Sequence, residues 1–130
     1  SYHFSKYELQ TLRKTFKRLK IGISINPENF NLQYIKNIKN LINVIYFDMN
    51  VYKKSSIKTY SLNKCIKQIK SIKNLSIPVF IGGGINESKA KQIINILKPD
   101  GIDVSRSLKN TKNIISSKKL KNFLKEIAVA

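Results

Sequence analysis

Four short apolar runs, each followed by a stretch with helical spacing, set the limits on this fold. The runs are KIGISI (20–25), INVIYFD (42–48), IPVFIG (77–82) and GIDVS (101–105). Before the first, Leu9, Leu12, Phe16 and Leu19 recur at helical spacing within KYELQTLRKTFKRL. After it come Phe30, Tyr34, Ile35 and Ile38, and after the second come Leu62, Cys65, Ile66, Ile69 and Ile72. A recurrence every three to four residues is the mark of an amphipathic helix. ESKAKQIINIL (87–97) and SSKKLKNFLKEI (116–127) read as two more helices, the last opened by a serine cap. Asn26 followed by Pro27 predicts the start of the second helix. YHF at 2–4 reads as the tail of one more strand. Such alternation demands parallel strands with helical crossovers, and a continuous apolar run such as INVIYFD suits a buried parallel strand. The expected architecture is α/β, with four clear strands, five if YHF is counted, and five helices. At 130 residues it forms a single domain over 1–130.

Parallel strands with helical crossovers put chemistry on the loops after the carboxyl ends of the strands, whether they close into a barrel or stay open. Those loops follow Ile25, Phe47, Ile81 and Val104. Three of the chain's five glycines, Gly82, Gly83 and Gly84, stand after the third strand. Glycine admits unusual backbone angles and lets a ligand reach the amides. The helix that follows begins near Asn86, and its free N–H groups attract anions. After the last strand comes SRSLKN, small and hydroxyl-rich, with Arg106 inside it. Two such turns after adjacent strands fit the two halves of a phosphate cradle. A tight turn with no ligand explains the glycines equally well by themselves.

Asp48 ends an apolar strand, a position that partly desolvates a carboxyl group and suits a general acid. Capping a loop is its structural alternative. MNVYKKSSIKTYS (49–61) reads as a long polar loop, and long loops in compact domains are commonly functional. Asp103, inside GIDVS, fits either a site or bonds to neighbouring loop amides. Cys65 falls on the apolar face of a helix, where a cysteine is ordinarily a small core residue. His3 has no evident partner.

Composition removes several classes. The single cysteine excludes an internal disulfide framework and a cysteine-based zinc site. No apolar run approaches the roughly 20 residues of a membrane span, and the first residues lack the apolar stretch of a signal peptide, so the cytoplasm is the expected location and no membrane partner is expected. The net charge of +18 invites a nucleic-acid reading. Yet the chain holds 22 Lys, 21 Ile and 14 Asn against three Arg, the residues that A/T-rich codons favour. The lysines are spread along the chain rather than gathered into a stripe, which argues against a nucleic-acid partner.

Four segments carry a family resemblance: FDMNVYKKSSIKTYS, FIGGGINESKA, KPDGIDVSRSLK and TKNIISSKKLKNFLKEI. Over residues 41–127 they resemble the C-terminal part of phosphoribosylanthranilate isomerase. Phe47-Asp48 stands where that family ends its sixth strand in Leu-Asp. Ser55 to Tyr60 replace its Gly-Thr-Gly-Lys-Thr-Phe-like loop, and Gly83-Gly84-Ile85-Asn86-Glu87 resembles its Gly-Gly-Leu-Asn-Pro. Gly101 to Lys109 resemble its Gly-Val-Asp-Val-Ser-Ser-Gly-Val-Glu. The resemblance implies a partial TIM (β/α)8 barrel, holding about the last four or five βα units. It implies an Amadori rearrangement of a phosphoribosylated anthranilate in tryptophan biosynthesis, without metal or cofactor. Asp48 would be the acid that opens the ribose ring. Gly83, Gly84, Ser105 and Arg106 would hold the phosphate, and Lys58, Thr59 and Asp103 would belong to the substrate loops.

The chain departs from that pattern in three ways. Ser-Ser-Ile replaces the flexible Gly-Thr-Gly, and Ser107 and Lys109 replace a glycine and a glutamate. The strand-one segment with the family's cysteine base has no counterpart here, and Cys65 does not replace it. A half-barrel is expected to self-associate or to need the N-terminal half as partner. The alternatives are a non-catalytic, partner-dependent remnant, or another phosphate-binding barrel enzyme such as a pentulose-phosphate epimerase.

Overall fold

The computed structural model describes residues 4–128. The predicted strand tail at 2–4 and His3 lie outside them but for Phe4, which is not in a strand. Five helices run α1 (Lys6–Thr15), α2 (Leu32–Ile38), α3 (Leu62–Lys73), α4 (Glu87–Leu97) and α5 (Ser117–Ala128). Six strands run β1 (Gly22–Ile25), β2 (Val44–Asp48), β3 (Asn50–Lys53), β4 (Ser56–Thr59), β5 (Val79–Gly82) and β6 (Gly101–Ile102).

Four strands form the main sheet in the order β1-β2-β5-β6, every pair parallel. The strand order follows chain order without reversal. Successive helices also touch in chain order, α1 on α2, α2 on α3, α3 on α4 and α4 on α5. Strands inside and helices outside, both advancing in one direction, make an arc of a β/α barrel that does not close.

The register explains the core. Ile23, Ile45 and Val79 are partners in one row, and Ile25, Phe47, Ile81 and Ile102 in the next. Those of β1, β2 and β5 are buried against helix residues such as Leu9, Ile35, Ile69 and Ile93. The alternate residues fall on the opposite face. There Ser24, Tyr46, Phe80 and Gly101 make one row, with Gly22 and Val44 in the next. Among the described residues no helix covers that face, and Tyr46 is 42% exposed. The Tyr46 and Phe80 rings meet edge to face with centroids 5.5 Å apart. A side chain at Gly22 would run into the Tyr46 ring at 2.9 Å, and one at Gly101 into the Phe80 ring at 2.8 Å. Each aromatic ring thus lies over a glycine of the next strand.

Four elements differ from the sequence reading. Residues 49–61 are not an irregular loop: β3 and β4 pair antiparallel from Asn50↔Thr59 to Lys53↔Ser56. α1 stops at Thr15 instead of running to Leu19, because Arg13 draws the following chain back over the helix end. Its Nη1 donates to the Leu19 carbonyl at 2.8 Å and its Nε to the Leu41 carbonyl at 2.9 Å. α2 begins six residues after Asn26. Asn26 Oδ1 accepts from the Glu28 and Asn29 amides, which makes a local turn, and Asn31 is the true cap, accepting from the Tyr34 amide at 2.9 Å. β6 is only two residues long, because the chain leaves the sheet after Ile102 and turns into a 3-10 turn at Arg106–Leu108.

Candidate active site

The carboxyl ends of β2, β5 and β6 lie side by side, so the loops after them meet. A cavity of about 90 Å3 forms there, and its lining includes Asp48, Gly83, Gly84, Asp103, Ser105 and Arg106. These six were singled out from sequence, and the register Phe47↔Ile81↔Ile102 is what brings them together. Asn50, Tyr52 and Ile85 complete the wall.

Asp48 is the last residue of β2 and is half-buried. Its Oδ1 accepts from the Asn50 amide at 2.9 Å, which fixes one carboxylate oxygen. Gly83 has φ +98° and Gly84 φ +66°, both in the region that favours glycine. A Cβ on Gly83 would collide with Asp48 Oδ1 and would stand 2.5 Å from the Met49 amide nitrogen and 2.7 Å from that of Asn50. The glycine therefore lets the β5–α4 loop pass directly against the end of β2. The Gly83, Gly84 and Ser105 amides donate to no other described residue, so three donors remain unspent around one cavity. Lys89 ties the loop from the other side, donating from Nζ to the Gly84 carbonyl at 3.1 Å. Asn86 caps α4 directly behind, accepting from the Lys89 amide at 3.0 Å.

Charge in the cavity is mixed: Arg106 lines it together with Asp48 and Asp103. Arg106 and Asp103 are both exposed, so the cavity is wet at that rim. The volume of about 90 Å3 is far below the roughly 300–1,000 Å3 of ordinary small-molecule sites. It suffices for an anionic group, and the rest of a substrate has to lie outside it.

Lys58 and Thr59 do not line the cavity. Lys58 sits on the hairpin's outer side, 3.9 Å from Glu28 Oε1 and 4.7 Å from the Tyr60 ring centroid. Thr59 stands behind the wall, donating from Oγ1 to Asn50 Oδ1 at 2.7 Å and lying beside Gly84. Cys65 is fully buried on α3, and desolvation pushes its thiol up to about 11. It is a core residue and not a reactive thiolate. Among the described residues no group of His, Cys, Asp and Glu is arranged to hold a metal ion, and no helix is long and apolar enough to cross a membrane.

Sequence reasoning missed Asn50, Glu28 and Lys89. Asn50 lay inside what read as an irregular loop, and only the strand pairing turns it inward. Glu28 carried no motif, and its partners Lys53 and Tyr60 are more than 20 residues away in sequence.

No family model matches the chain. It is 34% identical over 115 residues to a triosephosphate isomerase from Helicobacter pylori, a match covering 84% of this chain and 46% of that protein. It is 36% identical over 56 residues to an N-(5'-phosphoribosyl)anthranilate isomerase from Sulfurihydrogenibium, covering 43% of this chain and 28% of that one. The chain thus spans less than half the length of the curated relatives it matches. Among solved structures, N-(5'-phosphoribosyl)anthranilate isomerase from Pyrococcus furiosus superposes with a TM-score of 0.63 at 19% identity, over 96% of this chain and 58% of that one. The phosphoribosylanthranilate isomerase of Thermotoga maritima gives 0.60 at 14% identity, over 94% and 56%. At these identities the likeness is one of fold: an α/β arc with the parallel sheet of an isomerase barrel.

Proposed function

We propose that this chain is the phosphate-binding, acid-bearing portion of a phosphoribosylanthranilate isomerase. The supporting observation is that one cavity joins Asp48 to the unspent amides of Gly83, Gly84 and Ser105 and to Arg106. The amides and the guanidinium take the phosphate, and Asp48 stands over the sugar that extends from it. As a carboxylic acid, Asp48 gives its proton to the ribose ring oxygen. The bond from that oxygen to C1 breaks as the anthranilate nitrogen's lone pair forms the C1–N double bond. Loss of the C2 proton to a base then gives the enol-amine, which tautomerises to the ketose. The resemblance places the base on a strand-one segment that has no counterpart here, and Cys65, buried on α3, cannot serve, so in this reading the portion of the barrel that completes the site supplies it.

The test is turnover of N-(5'-phosphoribosyl)anthranilate by the chain alone and mixed with a polypeptide supplying the remaining barrel strands. The chain alone is expected to be inactive and the mixture active, with Asp48→Asn abolishing that activity. Restored activity that survives Asp48→Asn would sink the assignment. A second reading, isomerisation of a triose phosphate, is favoured by the longer 115-residue match. Offering the same mixture a triose phosphate separates the two.

A further inference from the structure

Asn50 is the one buried polar or charged side chain among the described residues, at 1% exposure. It opens β3, two residues beyond Asp48, and its side chain lines the cavity. Its backbone amide is spent on Asp48 Oδ1. Its side-chain oxygen is spent on the Thr59 hydroxyl, the partner directly across the hairpin. That oxygen also lies 3.6 Å from where a Cβ on Gly84 would stand, so the carboxamide abuts the glycine loop. Its nitrogen, Nδ2, donates to no described residue. Among the described residues the fully buried side-chain atoms without a partner are Gln68 Oε1 and Ser107 Oγ, so Asn50 Nδ2 keeps contact with solvent and is open to a molecule in the cavity.

We propose that Asn50 Nδ2 is a neutral side-chain donor to the bound anion and helps to set the specificity of the cavity for a phosphate group. The proposal rests on the phosphate reading given above. Thr59 fixes the carboxamide so that its oxygen points to the hairpin and its two N–H groups point to the cavity. A neutral donor there binds the anion without adding a second cation to a cavity that already holds Arg106 and two carboxylates. The hairpin thereby becomes part of the binding wall, since Asn50 and Thr59 form its first cross-strand pair. The same arrangement excludes a carboxylate ligand's competitor on the protein side: an aspartate at position 50 would fill the space and repel the anion.

Calorimetric titration of the chain with inorganic phosphate tests this, using Asn50→Asp, Asn50→Ala and Thr59→Val, with thermal melts of each. Asn50→Asp still accepts from Thr59 but donates nothing, whereas Asn50→Ala loses both bonds and gains no charge. A ligand donor predicts wild type tighter than alanine and alanine tighter than aspartate, with aspartate weakened about tenfold or more, since bonds to charged groups are the strong ones. Thr59→Val is expected to weaken binding by less. A purely structural role predicts the reverse order, with aspartate near wild type and alanine worst, and that result would overturn the proposal. Equal phosphate affinity in wild type and Asn50→Asp would overturn it as well, leaving the phosphate cradle standing. A wild-type chain that binds no phosphate would overturn both.

Discussion

Tyr60 donates its phenolic hydrogen to Glu28 Oε1 at 2.8 Å, joining the end of the β3–β4 hairpin to the loop after β1. Lys53 Nζ lies 3.3 Å from the same oxygen. The hairpin is therefore closed at its base by Thr59 and Asn50 and tethered along its flank by Glu28.

The Tyr60 hydroxyl first, and the lysines after it, hold the Glu28 carboxyl below its ordinary value of 4.5. A depressed carboxyl contributes stability above its unfolded pKa and loses it as pH falls through the folded one. The tether is thus expected to contribute fully above the ordinary value of 4.5 and to be lost only at lower pH, as the folded chain's carboxyl takes up its proton. Hydrogen exchange of the β3–β4 amides reads this directly. Glu28→Gln is expected to speed exchange in the hairpin at pH 7 while leaving β2 and β5 protected, because exposed ion pairs add little to global stability. Unchanged hairpin exchange in that variant would show that Glu28 is no tether.

Gly83→Ala is expected to cost about 3 kcal/mol or more in urea unfolding, because it strains a φ of +98° and forces a Cβ into the backbone of Met49 and Asn50. Gly84→Ala meets its nearest neighbour, Thr59 Cγ2, at 3.4 Å, so only the φ of +66° resists it, at about 1–2 kcal/mol. Equal costs at the two sites would contradict the close approach at Gly83.

Asp48→Asn is expected to fold normally, because an amide oxygen still accepts from the Asn50 amide. Isomerase turnover in the completed barrel should fall about 100-fold or more, since an amide is no proton donor. The pair of measurements is a melting curve and an initial rate, and a normal rate would remove Asp48 from the mechanism.

Cys65 should resist a thiol reagent at pH 8 until the chain unfolds. Its thiol titrates at about 11 in the folded chain against an ordinary 9.0. A raised value stabilises the fold fully below the unfolded value and is lost as pH rises through the folded one. Stability should therefore decline between pH 9 and 11, and Cys65→Ala should flatten that part of the decline. Rapid labelling of the folded chain would show that α3 is not closed over Cys65.

The sequence made the alternation of strands and helices legible because apolar period and chain order carry it. Ile45 and Phe47 alternate with Tyr46, and Ile69 and Ile72 mark a helical stripe, whatever else the chain does. It made the cavity legible because barrel arcs place strand ends side by side, so Asp48, Gly83 and Arg106 were bound to meet. It did not reveal the hairpin. The Lys54–Ser55 turn lacks the Asn-Gly or Gly signal that announces a two-residue connection, and neither residue has a positive φ. Helix ends were misplaced where a distant side chain decided them, as Arg13 does through Leu41 and Asn43. That Tyr46 and Phe80 would roof Gly22 and Gly101 needed the register.

The sequential order β1-β2-β5-β6 gives this sheet a direction, and its two edges are unequal templates. The β1 edge offers four consecutive residues for a new ladder, and the β6 edge only two. A polypeptide that closes the ring has to zip at both, so it gains most of its ladder on the β1 side and then wraps past the aromatic roof to reach the shorter edge. Assembly of such a ring is polar, like threading a clasp from its long jaw. A mutation that blunts β1, such as Ser24→Pro, should therefore impair closure more than one that blunts β6.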